Sequence, residues 1–388
     1  MALSLAVHYR WWRGPNALSR RKWGRILLVM LAGLATLAFV LESQTINSRL
    51  PIRLFAVLHT SGLAWALISL TIYIAQTADG VLVWIFSRFH RKAAVADHPE
   101  SPGRRKVLQA VRGAIYAAPV VALGYGTFIE RGDYHVNEIS IPVAGLHPDL
   151  EGLRIVQITD IHMGAFLSER DMERIVGMAN DTRADLALMT GDLITRTGDP
   201  VEVCLKQLAR VKADAGMIGC LGNHEIYAGI EDYVEQRGAR LGIDFLRSRN
   251  RVMEFRGHKL NFAGVDYQRR GSPYLVGTER LIVPGMTNIL LSHNPDVFPV
   301  AARQGFPLTI SGHTHGGQIT VEYLEQFVNP ARFVTPYVSG LYAEGGKRVY
   351  VSRGLGTVGV PTRIGAPPEL SVIRLTASSK VPGLEGSV

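Results

Sequence analysis

The chain has 388 residues, with 42 Lys and Arg against 33 Asp and Glu and a net charge of +9. Residues 1–129 hold 15 of the basic and 4 of the acidic side chains, leaving 27 and 29 beyond them. The positive excess therefore lies in the N-terminal third, and the near-neutral remainder lacks the basic face that nucleic-acid binding requires. Two cysteines, Cys204 and Cys220, exclude a disulfide framework, and Cys220 in an apolar run reads as a buried free thiol.

Three apolar segments lie in the N-terminal third. Residues 26–41 carry no charge and extend back to Trp23; residues 55–75 have His59 as their one ionisable side chain; residues 114–129 are uncharged. A bilayer-spanning helix needs about 20 apolar residues, so the reading is three spans, at about 23–41, 55–75 and 110–129. Residues 81–86 are too short to cross and prolong the second helix toward the headgroups. A cleaved signal sequence is the alternative for the first segment, given Arg20-Arg21-Lys22 before it. Two further spans and the lack of a small-residue cleavage site favour an anchor.

Basic residues precede the first span (Arg10, Arg13, Arg20, Arg21, Lys22, Arg25) and follow the second (Arg88, Arg91, Lys92, Arg104, Arg105, Lys106), whereas Arg49 and Arg53 alone separate the first two. Basic loops stay cytoplasmic, which places everything after the third span outside the cytoplasm, in the periplasm where an outer membrane exists. The pair Arg104-Arg105 is also compatible with a twin-arginine export signal. Residues 98–103 read as a turn-rich loop. Residues 130–152 are a linker with an edge strand at 135–141, residues 153–377 one catalytic domain, and 378–388 a tail.

Within that domain, short apolar runs, most with β-branched residues, at 155–158, 186–189, 217–221, 289–291 and 308–310 read as buried strands. Segments 169–179, 201–211 and 230–240 have helical spacing, and 251–255, 259–265, 348–352 and 370–375 are further strand candidates. Each of the first five runs ends in a polar island: Asp160-Ile161-His162, Gly191-Asp192, Gly222-Asn223-His224-Glu225, His293-Asn294 and Gly312-His313-Thr314-His315. Ligands at five strand ends can converge on one sheet edge, and carboxylate, imidazole and amide oxygen suit a pair of divalent cations.

This ordered set resembles the calcineurin-like metallophosphoesterase superfamily. The continuation Gly316-Gly317-Gln318, then Ser352-Arg353-Gly354-Leu355-Gly356 and Pro367-Pro368-Glu369, resembles its branch of membrane-associated bacterial phosphodiesterases and transmembrane proteins with a metallophosphoesterase domain. The resemblance implies an α/β fold, a four-layer α/β/β/α sandwich, behind an N-terminal transmembrane helical module. It implies one cation on Asp160, His162 and His315, a second on Asn223, His293 and His313, and Asp192 bridging both. Manganese, iron, zinc and cobalt all suit such mixed ligation. A hydroxide shared by the cations would attack phosphorus, and His224 would act as the general acid on the leaving group.

One departure stands out. The family commonly has a second aspartate three residues after the first in its G-D-x-x-D motif, and that aspartate orients the histidine. Here the position is Thr195, whose hydroxyl could accept from the imidazole without a charge. Arg353 and Arg363 could contact substrate phosphate or form surface ion pairs. Residues 321–342 could wall a substrate cleft or touch the membrane module. His8, His59, His90, His98, His135, His147 and His258 have no partners at ligand spacing.

The expected activity is membrane-anchored hydrolysis of a phosphate ester, favouring diesters, with a lipid-linked or envelope substrate suggested by the tether. Two alternatives remain at this level. One is a hydrolase resembling UDP-2,3-diacylglucosamine pyrophosphatase of lipid A synthesis, whose cytoplasmic substrate conflicts with the charge-derived orientation. The other is a non-catalytic membrane scaffold or sensor, which the complete ligand set disfavours.

Overall fold

The computed structural model describes residues 1–13, 21–41, 52–89, 102–323 and 326–377. Most of the basic loop after the second apolar segment, Arg20, Arg49 and the C-terminal tail lie outside these. The chain divides into two compact units, Met1–Phe128 and Ile129–Val388.

The first unit is helical: α1 (Ala2–Arg13), α2 (Lys22–Leu41), α3 (Ile52–Phe89) and α4 (Pro102–Phe128). Among the described residues three segments, Lys22–Leu41, Leu54–Val81 and Gln109–Gly132, are long and apolar enough to cross a membrane. At 38 residues α3 runs roughly 57 Å, well beyond the ~30 Å hydrocarbon core, and it includes the 81–86 extension. Asp79, the acid that interrupts its apolar run, pairs with Arg112 of α4 at 3.2 Å. Gly62 lets α2 and α3 approach closely: a Cβ there would lie 2.4 Å from the Leu34 carbonyl oxygen. No apolar run or charge pattern marked α1 in advance. It is fastened to α3 by polar contacts, Trp65 Nε1 donating to His8 Nε2 at 2.7 Å and Arg10 to the Tyr73 hydroxyl at 2.8 Å.

The second unit opens with β1 (His135–Val143), then β2 (Arg154–Ile158), α5 (Glu169–Asp181), β3 (Leu186–Thr190), α6 (Val201–Leu208), β4 (Met217–Cys220), α7 (Asn223–Ala228), α8 (Glu231–Arg240) and β5 (Ile243–Phe245). A strand-rich half follows: β6 (Arg249–Phe255), β7 (His258–Gly264), β8 (Thr287–Leu291), α9 (Phe298–Gln304), β9 (Leu308–Ser311), β10 (Val321–Tyr323), β11 (Gln326–Val328), β12 (Gly340–Glu344), β13 (Lys347–Val351) and β14 (Glu369–Ala377). One sheet runs β1-β14-β2-β3-β4-β5, the other β12-β13-β9-β8-β7-β6, and β10-β11 form a separate hairpin. Strands β2 to β5 are parallel, as are β7, β8, β9 and β13.

The side-chain period of two sorts each strand between layers. Leu186 and Leu188 of β3, with Ile155 and Ile218, meet Phe262, Ile289, Leu291 and Ile310 between the sheets. Ala187 and Met189 point the other way, with Val156 and Ile158, onto Met172 and Ile175 of α5 and Leu205 of α6. Leu290 and Ala263 cover the far side of the second sheet against Ala301 of α9. Helix, sheet, sheet, helix is thus the layer order, the four-layer sandwich expected. Burial on both faces explains why the parallel strands read as mostly apolar runs, with buried Gln157 in β2 hydrogen-bonded to Thr190 and the Ser311 carbonyl. The expected edge strand at 135–141 is β1, at the sheet margin. The short β5, the exposed β12 and α9 escaped the sequence reading.

Candidate metal centre

Parallel strands bring their C-terminal ends to one edge, where loops can carry function. Asp160 and His162 follow β2, Asp192 follows β3, Asn223 and His224 open α7 after β4, His293 follows β8, and His313 and His315 follow β9. All eight sequence-derived site residues therefore lie at this edge. The ligand atoms of Asp160, His162 and His315 fall within 4.8 Å of one another, as do those of Asp192, His293 and His313. Asp192 lies between the sets, with Oδ2 3.0 Å from His293 Nε2 and 3.5 Å from His162 Nε2. His224 comes within the same 4.8 Å limit of His162 and Asp192.

The backbone is bent to achieve this. Asp160, His162, Asp192, His313 and His315 all have φ between +48° and +76°. Non-glycine residues rarely adopt that region, at about 1–3 kcal/mol each, and such strain concentrates at functional sites. Glycine serves a different purpose at two neighbouring positions. A Cβ on Gly222 would lie 2.1 Å from Asp192 Oδ1, and one on Gly312 would lie 2.2 Å from Asp160 Oδ2. These glycines make room for carboxylates; Gly222, with φ −97°, is ordinary extended backbone rather than a sharp turn.

The donor set fits cations. Asn223 Oδ1 is buried with no hydrogen-bond partner among the described residues, a costly state that a bound ion relieves. His293 Nδ1 faces the Thr190 carbonyl at 2.7 Å, so that nitrogen carries a proton and Nε2 is the one turned toward Asp192. His162 Nε2 and His315 Nε2 face each other at 3.1 Å. Burial pushes His162 and His313 down to about 3 and His315 well below its ordinary value, so all three imidazoles are neutral. Burial also opposes charge on His293, yet Asp192 and Asp160 outweigh it and raise it to about 10. The carboxylates thus create a demand for positive charge at this spot.

Several residues hold this constellation and were not singled out from sequence. Glu225, fully buried, accepts from the backbone N–H groups of Asp192, Leu193 and Gly222 at 2.9, 2.7 and 2.8 Å. Its position three residues after Gly222 has capping-box spacing, a signal that was available. Thr159 Oγ1 donates to Asp160 Oδ2 at 2.8 Å, and the His313 N–H reaches both Asp160 oxygens at 3.0 Å. Tyr267, after β7, sets its ring 5.4 Å from His313 and 6.2 Å from His293.

Two expectations are corrected. His224 is held by the Thr195 backbone, not its hydroxyl: Nδ1 lies 2.5 Å from the Thr195 carbonyl oxygen. The hydroxyl instead lies 3.3 Å from His162 Nδ1. Buried Asp199 accepts from the N–H groups of Thr195 and Arg196 at 3.0 and 2.9 Å, fixing the turn that presents this carbonyl. Arg363 contacts neither substrate space nor a surface acid. It is fully buried and donates to the carbonyls of Gly356, Ala366, Arg353 and Gly354. It ties down the loop whose Gly356 N–H donates to the Asp160 carbonyl at 2.6 Å. The motifs around 352–356 and 367–369 are therefore clamps on the Asp160 loop, with Glu369 accepting from the Arg353 N–H at 2.9 Å. Segment 321–342 is tied to the same region by Asn329 Nδ2, which donates to the Gly316 carbonyl at 2.7 Å.

Residues 153–317 match the family model described as calcineurin-like phosphoesterase. An uncharacterized metallophosphoesterase of Bacillus subtilis, YkuE, is 28% identical over 284 residues, which is 71% of this chain and 98% of that protein. The uncharacterized metallophosphoesterase Cj0846 of Campylobacter jejuni is 29% identical, over 62% of this chain and 63% of its own length. The transmembrane protein with metallophosphoesterase domain of Danio rerio is 29% identical, over 68% of this chain and 62% of its own length. The chain thus spans under two thirds of the latter two relatives. With the family match and the clustered ligands together, residues 153–317 form a calcineurin-like phosphoesterase domain, of a family of metal-dependent phosphoester hydrolases.

Proposed function

We propose that this chain is a membrane-anchored dinuclear-metal phosphoesterase that hydrolyses phosphodiesters, with a lipid-linked or envelope substrate. The observation carrying the reading is the pair of clusters, Asp160–His162–His315 and Asp192–His293–His313, with Asp192 reaching toward His162 of the first and His224 beside them. Asp160, His162 and His315 would hold one cation, and Asn223, His293 and His313 the other, with Asp192 common to both. When bound, two cations supply Lewis acidity toward phosphoryl oxygens and lower the pKa of an attacking water. The protein's own part is to hold neutral imidazoles and charged carboxylates in place, and to present His224 to the leaving oxygen. His224 Nδ1 is engaged by the Thr195 carbonyl, so Nε2 is the nitrogen left to give a proton. Preference for a diester is supported by the near-neutral charge of residues 130–388, which offers no concentrated basic pocket for a dianion. In domain terms, residues 1–129 are the membrane module, 130–152 the linker, 153–377 the catalytic domain and 378–388 the tail.

Metal dependence tests the core of this reading. The purified full chain should contain about two transition-metal ions per polypeptide and hydrolyse a chromogenic phosphodiester. Chelator should abolish turnover, and manganese, iron, zinc or cobalt should restore it. A metal-loaded chain inert toward diesters, monoesters and pyrophosphates alike would favour a scaffold.

We infer that the catalytic domain lies outside the cytoplasm, on the far side of an inner or cytoplasmic membrane crossed three times. A reporter active only outside the cytoplasm should work when fused after Val388 and be silent when fused within residues 90–101. The reverse pattern would put the metal centre in the cytoplasm, and a UDP-diacylglucosamine-type substrate would then become the better choice.

A further inference from the structure

The geometry points to a binding shelf for the leaving group, made by Tyr227 and Tyr267 and selective for alcohols that bear a ring; this rests on the hydrolase reading above. His224 and Tyr227 lie three residues apart on α7, so they share a helix face. Their ring centres are 6.0 Å apart. Tyr227 then meets Tyr267 at 6.4 Å, and Tyr267 meets His313 at 5.4 Å. On the other side His224 stands 4.7 Å from His162. A continuous arc of rings therefore runs from one ligand set, through the acid candidate, to the other.

The shelf is built rather than incidental. Tyr267 is partly buried, and its ring meets that of Tyr227 edge to face. Its loop is pinned where Asn294 Nδ2 donates to the Gln268 carbonyl at 2.7 Å, beside His293, and where Gln268 Oε1 accepts from the Leu275 N–H at 3.0 Å. Tyr227 keeps 44% of its surface exposed, so a face remains for a ligand. An oxygen that receives a proton from His224 must lie against His224, and the group attached to it then lies along the two tyrosines. Rigid aromatic rings with hydroxyl tips favour flat or ring-shaped partners such as sugars, bases and aryl groups. A flexible chain gains less because it must be ordered to lie on them.

Phosphonates, whose P–C bond resists hydrolysis, test this by binding. Calorimetry on the metal-loaded full chain should show the monomethyl ester of benzylphosphonate, singly charged like a diester, binding about tenfold more tightly than that of hexylphosphonate, the factor a well-formed ring contact supplies. Tyr267→Ala and Tyr227→Ala should each erode that ratio, and Tyr267→Phe should keep most of it. Metal content, measured in every variant, identifies any loss caused by a damaged centre; Tyr227→Ala on the exposed helix face is then the deciding variant. Equal affinities in the unmodified chain, no binding of either compound, or a ratio that survives both alanine changes would overturn the shelf. A chain that prefers the benzylphosphonate ester yet hydrolyses no phosphate ester would keep the shelf and discard the hydrolase reading.

Discussion

Asp192→Asn should lower kcat/KM on a phosphodiester by more than about 100-fold, because even partners one layer removed from a metal cost 10–100-fold when changed. The substitution keeps the side chain's size and one oxygen, and removes its charge. That charge is firmly held: burial would raise the Asp192 carboxyl, but His293 above all outweighs burial and keeps it well below the usual range. Oδ2 reaches toward both His293 and His162, and Oδ1 accepts from the His224 N–H at 3.0 Å. One change thus touches both proposed cation sites and the first turn of α7. Metal analysis should show fewer than two ions per chain, whereas Asn223→Ala should affect one site and leave the other filled. An Asp192→Asn protein with two bound ions and ordinary turnover would end the bridging assignment.

The legible part of this molecule was the part where one physical constraint acts locally. A strand buried on both faces is mostly apolar, so 186–189 declared itself, and a polar residue beyond its end, Asp192, was visible by contrast. The edge strands β5 and β12 are short or exposed and carry no such contrast. That the candidate residues gather at one strand edge was legible, yet what supports them was not. Arg363 looks in sequence like a free basic residue in a glycine-rich loop; only the fold surrounds it with carbonyls. Thr195 looked like a lost aspartate because sequence displays side chains, and the acceptor that meets His224 is a backbone oxygen. Tyr267 lies 26 residues before His293 and 46 before His313, so its place beside them depends on sheet order, which no local pattern encodes.

His224→Ala should slow esters of poor leaving groups, such as alkyl alcohols, by about 10²–10⁴-fold, the range for losing a positioned general acid. Esters of nitrophenol should fall far less, because nitrophenolate departs without a proton. The two ring nitrogens have separate roles, Nδ1 anchoring on the Thr195 carbonyl and Nε2 remaining for the departing oxygen. Because the anchor is backbone, Thr195→Ala should keep the wild-type dependence on leaving group. Asp199→Ala removes the acceptor of the Thr195 and Arg196 N–H groups; it should let that turn drift and reproduce part of the His224→Ala pattern. Metal content separates these roles from ligation, since His224 also comes within ligand range of His162 and Asp192. Two ions retained in His224→Ala, with alkyl esters slowed selectively, identifies an acid. An ion lost, with both ester classes slowed alike, would identify His224 as a ligand and move the source of the proton to another group at the strand edge.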